Sequence, residues 1–311
     1  LGKTVQAIAY GLLHKGDRPV VTVVPAIVAT NWEREIDKWG GEKICRIKTG
    51  RTPITDGAEW IIVTYAMARK RSQELIDLDP SIVILDECHY IKNLKALRTK
   101  AVLEICKGDR DVIGLSGTPI LNRPVEFYTT LKLMRPQDYR SWWWYTKRYC
   151  GGHRDRWGYK VGGATNTEEL SERLRDLMVR RKKDQVLEEL PDKVREVQEV
   201  KVSRKAMIGY KEVMESKETV IEALTAGRQA VGLAKIGRAV EWALEYISQD
   251  TPLVIFAHHK SVVHGIAEGI DRAGYQVGVI DGSVSHDKRG EIVDRFQSGA
   301  LPVVVLSIKA G

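Results

Sequence analysis

Short unbroken apolar runs alternate with longer stretches of helical spacing along this chain. Val20–Val24 and Ile82–Leu85 are runs of the kind that form strands buried on both faces, as in a parallel sheet. Trp60–Thr64 and Asp111–Leu115 read as two more strands. Between them, apolar residues recur every three or four positions. Val5, Ile8 and Leu12 mark one helix, which Gly16 ends. Trp32, Ile36 and Trp39 mark a second, after Pro25 stops the first strand. Leu94, Leu97, Ala101, Val102 and Ile105 mark a third, closed by Gly108. Strands alternating with helices predict an α/β fold with a parallel sheet and right-handed crossovers.

The rhythm breaks and then returns. Asn166 and Glu169 resemble a capping box opening a helix with Leu170, Leu174, Leu177 and Met178. That helix runs into the basic stretch Arg180–Lys183, followed by Leu187, Leu190, Pro191 and Lys193. Val194–Val202 reads as a strand and Arg204–Ala226 as a long helix, before a helix with Leu233, Ile236, Val240, Leu244 and Ile247 on one face. Three strands follow, at Leu253–Ala257, Gln276–Ile280 and Val303–Leu306. The intervening helices carry Val262, Val263, Ile266 and Ile270, then Ile292, Val293 and Phe296.

Polar motifs fall where strands end, and open α/β sheets place ligands there. Asp86 and Glu87 follow the Ile82–Leu85 run directly. Carboxylates near a core call for a neutralising cation, so the pair suits a magnesium–nucleotide site; a surface turn with two solvated acids is the alternative. Leu1-Gly2-Lys3-Thr4 enters a helix like the tail of a phosphate-binding loop. In that reading Lys3 reaches phosphates and Thr4 ligates Mg²⁺; a chance tripeptide at a helix start is the other. Ser116-Gly117-Thr118-Pro119 ends a further strand. One sheet edge for all three motifs is the expected geometry of a single nucleotide site.

Length and charge narrow the picture. The 311 residues suffice for about two domains. No stretch approaches the ~18 apolar residues that span a bilayer, and no signal peptide is evident. The expected location is intracellular: cytoplasmic in a prokaryote or virus, nuclear in a eukaryote. A net charge of +8 suits a polyanionic partner without specifying one. Cys45, Cys88, Cys106 and Cys150 contain no CxxC pair and read as reduced thiols. Cys150 with His153 is too small a set for zinc. His258 and His259, adjacent on a strand end, point to opposite faces and cannot ligate jointly. Tyr139–Lys160 interleaves aromatic and basic residues, Trp142, Trp143 and Trp144 among them. Such residues can stack on bases and pair with phosphates. The favoured reading is that the tryptophans pin a helical insert onto the first domain, because three neighbours cannot share one helix face.

Four motifs occur in order: Leu1–Ala9; Val24–Ala26 with Asn31–Glu35; Ile84–His89 with Lys92 and Asn93; and Gly114–Pro119 with Asn122. Together they resemble the Swi/Snf-type DNA translocases of helicase superfamily two, over essentially the whole chain. Tyr139–Pro191 resembles the annealing-helicase (HARP-like) branch, which usually has Ser where Cys88 stands. The resemblance implies two RecA-like lobes: an ATP-binding lobe over 1–136, a helical insert and brace over 137–192, and a second lobe over 193–311. The ends are read as cut, since the chain opens inside a motif and stops after a strand. The second lobe has no GKT of its own, so one nucleotide site is expected.

The resemblance also implies roles. Gly2, Lys3, Thr4 and Asp86 bind ATP, with Thr4 and Asp86 on the Mg²⁺ shell. Glu87 orients and deprotonates the attacking water, and Lys3 and Asp86 complete the catalytic set. His89, Ser116, Gly117 and Thr118 couple nucleotide state to DNA grip. Pro25, Thr64, Tyr65, His258, Lys260, Asp281, Gly282, Ser307 and Lys309 face the DNA backbone, which gives low sequence specificity. The expected partner is double-stranded DNA, with DNA-bound proteins remodelled by a monomeric motor. Arginine fingers belong to a later motif than any here, so weak ATP binding and little hydrolysis are expected of these 311 residues alone. A strand-separating helicase and an ATPase-inactive nucleic-acid scaffold are the alternatives; the presence of Lys3, Asp86 and Glu87 argues against the scaffold.

Overall fold

The computed structural model describes residues 2–117, 123–181, 189, 193–200 and 219–308. Two compact units divide the chain, Leu1–Pro191 and Asp192–Gly311. Among the described residues no helix is long and apolar enough to cross a membrane.

The first unit is built on five parallel strands: β1 (Val20–Val24), β2 (Ile44–Ile47), β3 (Trp60–Thr64), β4 (Ile82–Leu85) and β5 (Asp111–Gly114), in the order β2-β3-β1-β4-β5. Every residue of β1 and β4 is buried, as their unbroken apolar runs require. Strand alternation sorts the side chains to two faces. Val20, Val24, Trp60, Ile62, Ile82 and Ile84 share a core with helices α1 (Lys3–His14) and α2 (Ala29–Lys38). Val21, Val23, Ile61, Val63, Val83 and Leu85 share the other with α3 (Tyr65–Lys70), α4 (Ser72–Asp77) and α5 (Leu97–Ile105). At Gly11 of α1 a Cβ would lie 2.5 Å from the buried Trp60 ring, so glycine there allows α1 to sit close on the sheet.

Some expectations need correction. Trp39 falls just beyond α2 and is 47% exposed, its indole donating to Glu35. Leu94 precedes α5, and Leu97 on its first turn is exposed; Thr99, Val102 and Ile105 form the buried stripe. Edge strand β2 has no counterpart in the sequence reading, because Ile44-Cys45-Arg46-Ile47 is short and mixed in polarity.

The insert belongs to this unit. After α6 (Tyr128–Met134) come α7 (Trp142–Tyr149), a hairpin of β6 (His153–Asp155) and β7 (Gly158–Lys160), and α8 (Thr167–Arg175). Its core consists of Phe127, Tyr128, Leu131, Tyr139, Tyr145, Tyr149, Cys150, Leu170 and Leu174. Buried phenols need partners. Tyr128 donates to the Tyr139 carbonyl and Tyr145 to that of Pro124. Tyrosines therefore do most of the pinning; of the three neighbouring tryptophans Trp142 packs against this core, while Trp143 and Trp144 are exposed, which corrects the expectation for those two. The capping box also fails to form. Asn166 has a left-handed backbone and donates to the Arg148 carbonyl, while Glu169 binds Arg148 and Tyr149.

The second unit holds three parallel strands, β8 (Leu253–Ala257), β9 (Val277–Ile280) and β10 (Val303–Ser307), with β10 central. Helices α9 (Val220–Ala234), α10 (Ile236–Ile247), α11 (Lys260–Arg272) and α12 (His286–Gln297) accompany them. Gly265 and Gly269 of α11 receive Ile236 and Val240 of α10; a Cβ at either would lie 2.6 Å from those side chains. Residues 193–200 form no strand. Most of the expected Arg204–Ala226 helix lies outside the described residues; within that range Thr219 is extended and caps a helix that begins at Val220 and carries Leu233, which the spacing groups with the next one. On α12 no residue is buried, so its apolar stripe is weaker than its spacing suggests.

Candidate nucleotide site

The acid pair sits where β4 ends. The Asp86 amide continues the ladder by donating to Val23 of β1; across the ends of β4 and β5 the Leu115 amide donates to the Leu85 carbonyl and its own carbonyl accepts from the Cys88 amide. The chain then turns sharply: Glu87 has φ 47°, a left-handed conformation that costs a non-glycine residue energy. The turn is held from several sides. The Asp86 carboxylate accepts the Trp32 indole N–H on Oδ2 at 2.8 Å and the Glu87 amide on Oδ1 at 3.0 Å. Tyr65 donates its hydroxyl to the Asp86 carbonyl at 2.7 Å. Burial raises the pKa of that phenol, keeping it a donor. Burial likewise pushes the Cys88 thiol up to about 11, which makes it a packing residue and not a nucleophile.

Glu87 faces the third motif. Its Oε2 lies 3.1 Å from His89 Nδ1 and 3.5 Å from the Ser116 hydroxyl, which is 3.4 Å from the same histidine nitrogen. The first motif reaches this spot too. A Cβ built on Gly117 would stand 3.7 Å from Lys3 Nζ. Lys3, Ser116, Gly117, Glu87 and His89 therefore form a chain of neighbours at the carboxyl edge of the sheet.

The residues present fit a magnesium–nucleotide group. Gly2 is left-handed (φ 67°), and α1 begins at Lys3 with no side-chain cap and no acid in its first turn. Its leading amides are left for an anion. Asp86 retains lone pairs beyond its two donors, and Thr4 is half-buried in the same first turn of α1. Thr118 lies outside the described residues.

The residues expected to face DNA divide. Pro25 and Tyr65 are buried, and the Thr64 hydroxyl caps α3 by accepting from Met67. His258, Lys260 and Gly282 are exposed. Ser307 is buried. Asp281 is 1% exposed; it accepts from the Ser283 amide and hydroxyl, His264 Nε2 (3.0 Å) and Lys260 Nζ (3.5 Å). The Ser283 hydrogen bonds, then those of His264, hold its pKa well below the usual carboxylate range. That carboxylate serves its own loop and offers no surface to a phosphate. Lys309 lies outside the described residues.

Trp32 escaped the sequence reading as a site residue. It was visible only as one apolar position on α2, although it stands inside the Asn31–Glu35 motif.

Comparison with known families decides the lineage. The model of the SNF2-related domain matches residues 1–237. The chain belongs to the SNF2-related family. Among its SNF2-related relatives, the mouse "DNA annealing helicase and endonuclease ZRANB3" is 32% identical over 342 residues, covering all of this chain and 32% of that protein. The Xenopus laevis "SWI/SNF-related matrix-associated actin-dependent regulator of chromatin subfamily A-like protein 1" is 31% identical over 332 residues, covering all of this chain and 34% of that protein. The chain thus spans about a third of the length of these SNF2-related relatives. The Sulfolobus solfataricus SWI2/SNF2 ATPase core, solved with double-stranded DNA, aligns with a TM-score of 0.52 at 22% identity, over 99% of this chain and 71% of that one. The parallel sheets flanked by helices are those of this core.

Proposed function

We propose that this chain is the motor segment of an ATP-dependent double-stranded-DNA translocase. The observation that carries the reading is the chain of contacts from Lys3 to Gly117 and from Ser116 and His89 to Glu87. The amides of the uncapped α1 N-terminus and the Lys3 ammonium hold phosphate oxygens. Thr4 and Asp86 hold Mg²⁺, with Trp32 fixing the Asp86 carboxylate. Bound Mg²⁺–ATP supplies the transferable phosphoryl group and its leaving group. Glu87 orients a water molecule and takes its proton. His89 and Ser116 keep the Glu87 carboxylate aimed, and they pass the state of the site to the DNA-binding surface. His258 and Lys260, both exposed, contact the DNA backbone without reading sequence.

Relatives named for strand annealing and for chromatin regulation support remodelling of protein–DNA complexes or strand rewinding as the output. The compartment that follows is the one holding the DNA, the nucleus in a eukaryote. The test is ATPase activity of the longest form of the protein, with and without duplex DNA, for wild type and Lys3→Ala. DNA-stimulated turnover that Lys3→Ala abolishes is expected. Equal rates in the two proteins would remove the enzyme reading.

A further inference from the structure

The nucleotide site leaves the aromatic insert unused. Tyrosines supply most of its core and Trp142 packs against it, but Trp143 and Trp144 are exposed. Trp142, Trp143 and Tyr159 line a cleft of about 640 Å³, together with Lys92, Lys95 and Glu126. That volume lies within the ~300–1,000 Å³ range of small-ligand sites. The rings meet edge to face: Trp143 and Tyr159 have centroids 4.5 Å apart at 70°, and Trp142 and Trp143 5.1 Å apart at 84°. In such a cluster ring faces are left over for a flat ligand, and Trp143 is 60% exposed.

The wall is fixed before any ligand arrives. The Tyr159 hydroxyl pairs with Thr146 Oγ1 at 3.0 Å. Gly152 makes room for it, since a Cβ there would lie 2.2 Å from that hydroxyl. The polar groups are distinct in kind. Glu126 Oε1 lies 3.4 Å from the Lys92 ammonium, while Oε2 is buried with no hydrogen-bond partner among the described residues. A buried acceptor without a donor is costly and calls for an N–H. Lys92 and Lys95, both exposed, supply positive charge.

We propose that this cleft binds one unpaired nucleotide of a DNA strand, an inference that rests on DNA being the substrate. The base stacks on Trp143 and Tyr159, an exocyclic amine of the base donates to Glu126 Oε2, and the adjoining phosphates meet Lys92 and Lys95. An aromatic cluster with an acid could instead hold a methylated ammonium group, but the two lysine ammoniums oppose a cation.

The experiment measures binding without ATP, so its outcome is independent of whether Lys3 supports hydrolysis. The probes are a fluorescent oligo-dC of about ten nucleotides, its abasic counterpart and a blunt duplex of about thirty base pairs. Trp143→Ala should weaken oligo-dC binding about 5- to 100-fold, the usual range for one stacked base. Duplex binding should change by less than about twofold. The exposed Trp157→Ala serves as control and should change neither. Wild type should bind oligo-dC better than oligo-dT, which lacks an exocyclic amine, and Glu126→Gln should reduce that preference. Equal losses on oligo-dC and duplex, no loss on oligo-dC, or equal wild-type binding of the abasic strand would overturn the proposal. So would displacement of oligo-dC by a trimethyl-lysine peptide at lower concentration than by unlabelled oligo-dC.

Discussion

Asp86 with Glu87 at the end of β4, and Asp281 at the end of β9, are strand-end acids in two parallel sheets that use their oxygens differently. Asp281 is saturated. Ser283, His264 and Lys260 converge on its carboxylate, and Arg289 donates to its carbonyl and to that of Val284. The loop from Asp281 to Val284 is tied down by that one residue. Among the described residues Asp86 has two side-chain donors, and the Glu87 side chain is 36% exposed with His89 and Ser116 beside it. Every donor gathered on a carboxylate lowers its capacity to hold a metal or accept a proton. The saturated acid is therefore a structural anchor, and the acid with open lone pairs is available for chemistry.

The sharpest way to break this contrast is to neutralise each acid. Glu87→Gln keeps the size and the turn but removes the proton acceptor. DNA-stimulated ATPase should fall about 10²- to 10⁴-fold, the range for loss of a positioned general base. The melting temperature should hardly move. A variant that keeps wild-type turnover would show that another group takes the proton.

Asp281→Asn should do the reverse. It loses charge-assisted hydrogen bonds inside a buried loop, worth about 1–3 kcal/mol of stability in urea unfolding, while nucleotide binding by the first unit is retained. The effect carries a pH signature. The folded carboxyl has a lowered pKa, chiefly from Ser283, so on acidification the unfolded chain takes up this proton first. The contribution is complete above about pH 4, the ordinary aspartate range, and is lost as pH falls further. Asp281→Asn should be less stable than wild type at neutral pH and should lack that acid-side slope. Equal slopes would assign it to another acid.

This contrast also marks what the sequence could carry. Unbroken apolar runs identified β1, β3, β4 and β10, since strands buried on both faces need no alternation, and also β8, which nevertheless leaves Val254 and Phe256 exposed on one face. Strand-end position drew attention to Asp86, and the family resemblance to Asp281, but neither says how many donors converge on a carboxylate. The donors to Asp281 come from α11 and from its own loop, and Trp32 reaches Asp86 from α2, 54 residues away in sequence. Such convergence exists only after folding. The insert shows the same limit: aromatic count was plain, yet the hydroxyls of the buried Tyr128, Tyr145 and Tyr149 find carbonyls or a carboxylate, and that choice depends on neighbours brought from elsewhere in the chain.

Trp32→Phe sharpens the active side of the comparison. It keeps a ring in the core but removes the N–H that holds Asp86 Oδ2. A hydrogen bond to a charged group is worth about 1.5–3 kcal/mol, and part of that serves orientation. The Mg²⁺ concentration for half-maximal ATPase should rise about tenfold, with the rate at saturating Mg²⁺ close to wild type. An unchanged Mg²⁺ midpoint would mean that the indole only packs.

The smallest effect is expected at Glu169, a second saturated acid but one near the surface. Arg148 and then Tyr149 lower its pKa to about 2, and Arg173 adds a contact at 3.2 Å. Its partners are exposed enough for salt to screen them. As at Asp281, a lowered folded pKa means stability that is present above the free glutamate range, near about pH 4.3, and lost as pH falls from there toward 2. Glu169→Gln should therefore speed amide exchange in α8 at neutral pH, where the wild-type carboxylate is charged, and the difference should shrink both in high salt and as the solution is acidified. Because α8 also buries Leu170 and Leu174 in the insert core, the helix itself should persist. If exchange in α8 were equally slow in both proteins at neutral pH and low salt, saturation by exposed arginines would not anchor an acid's surroundings, and the contrast drawn from Asp281 would hold only for buried carboxylates.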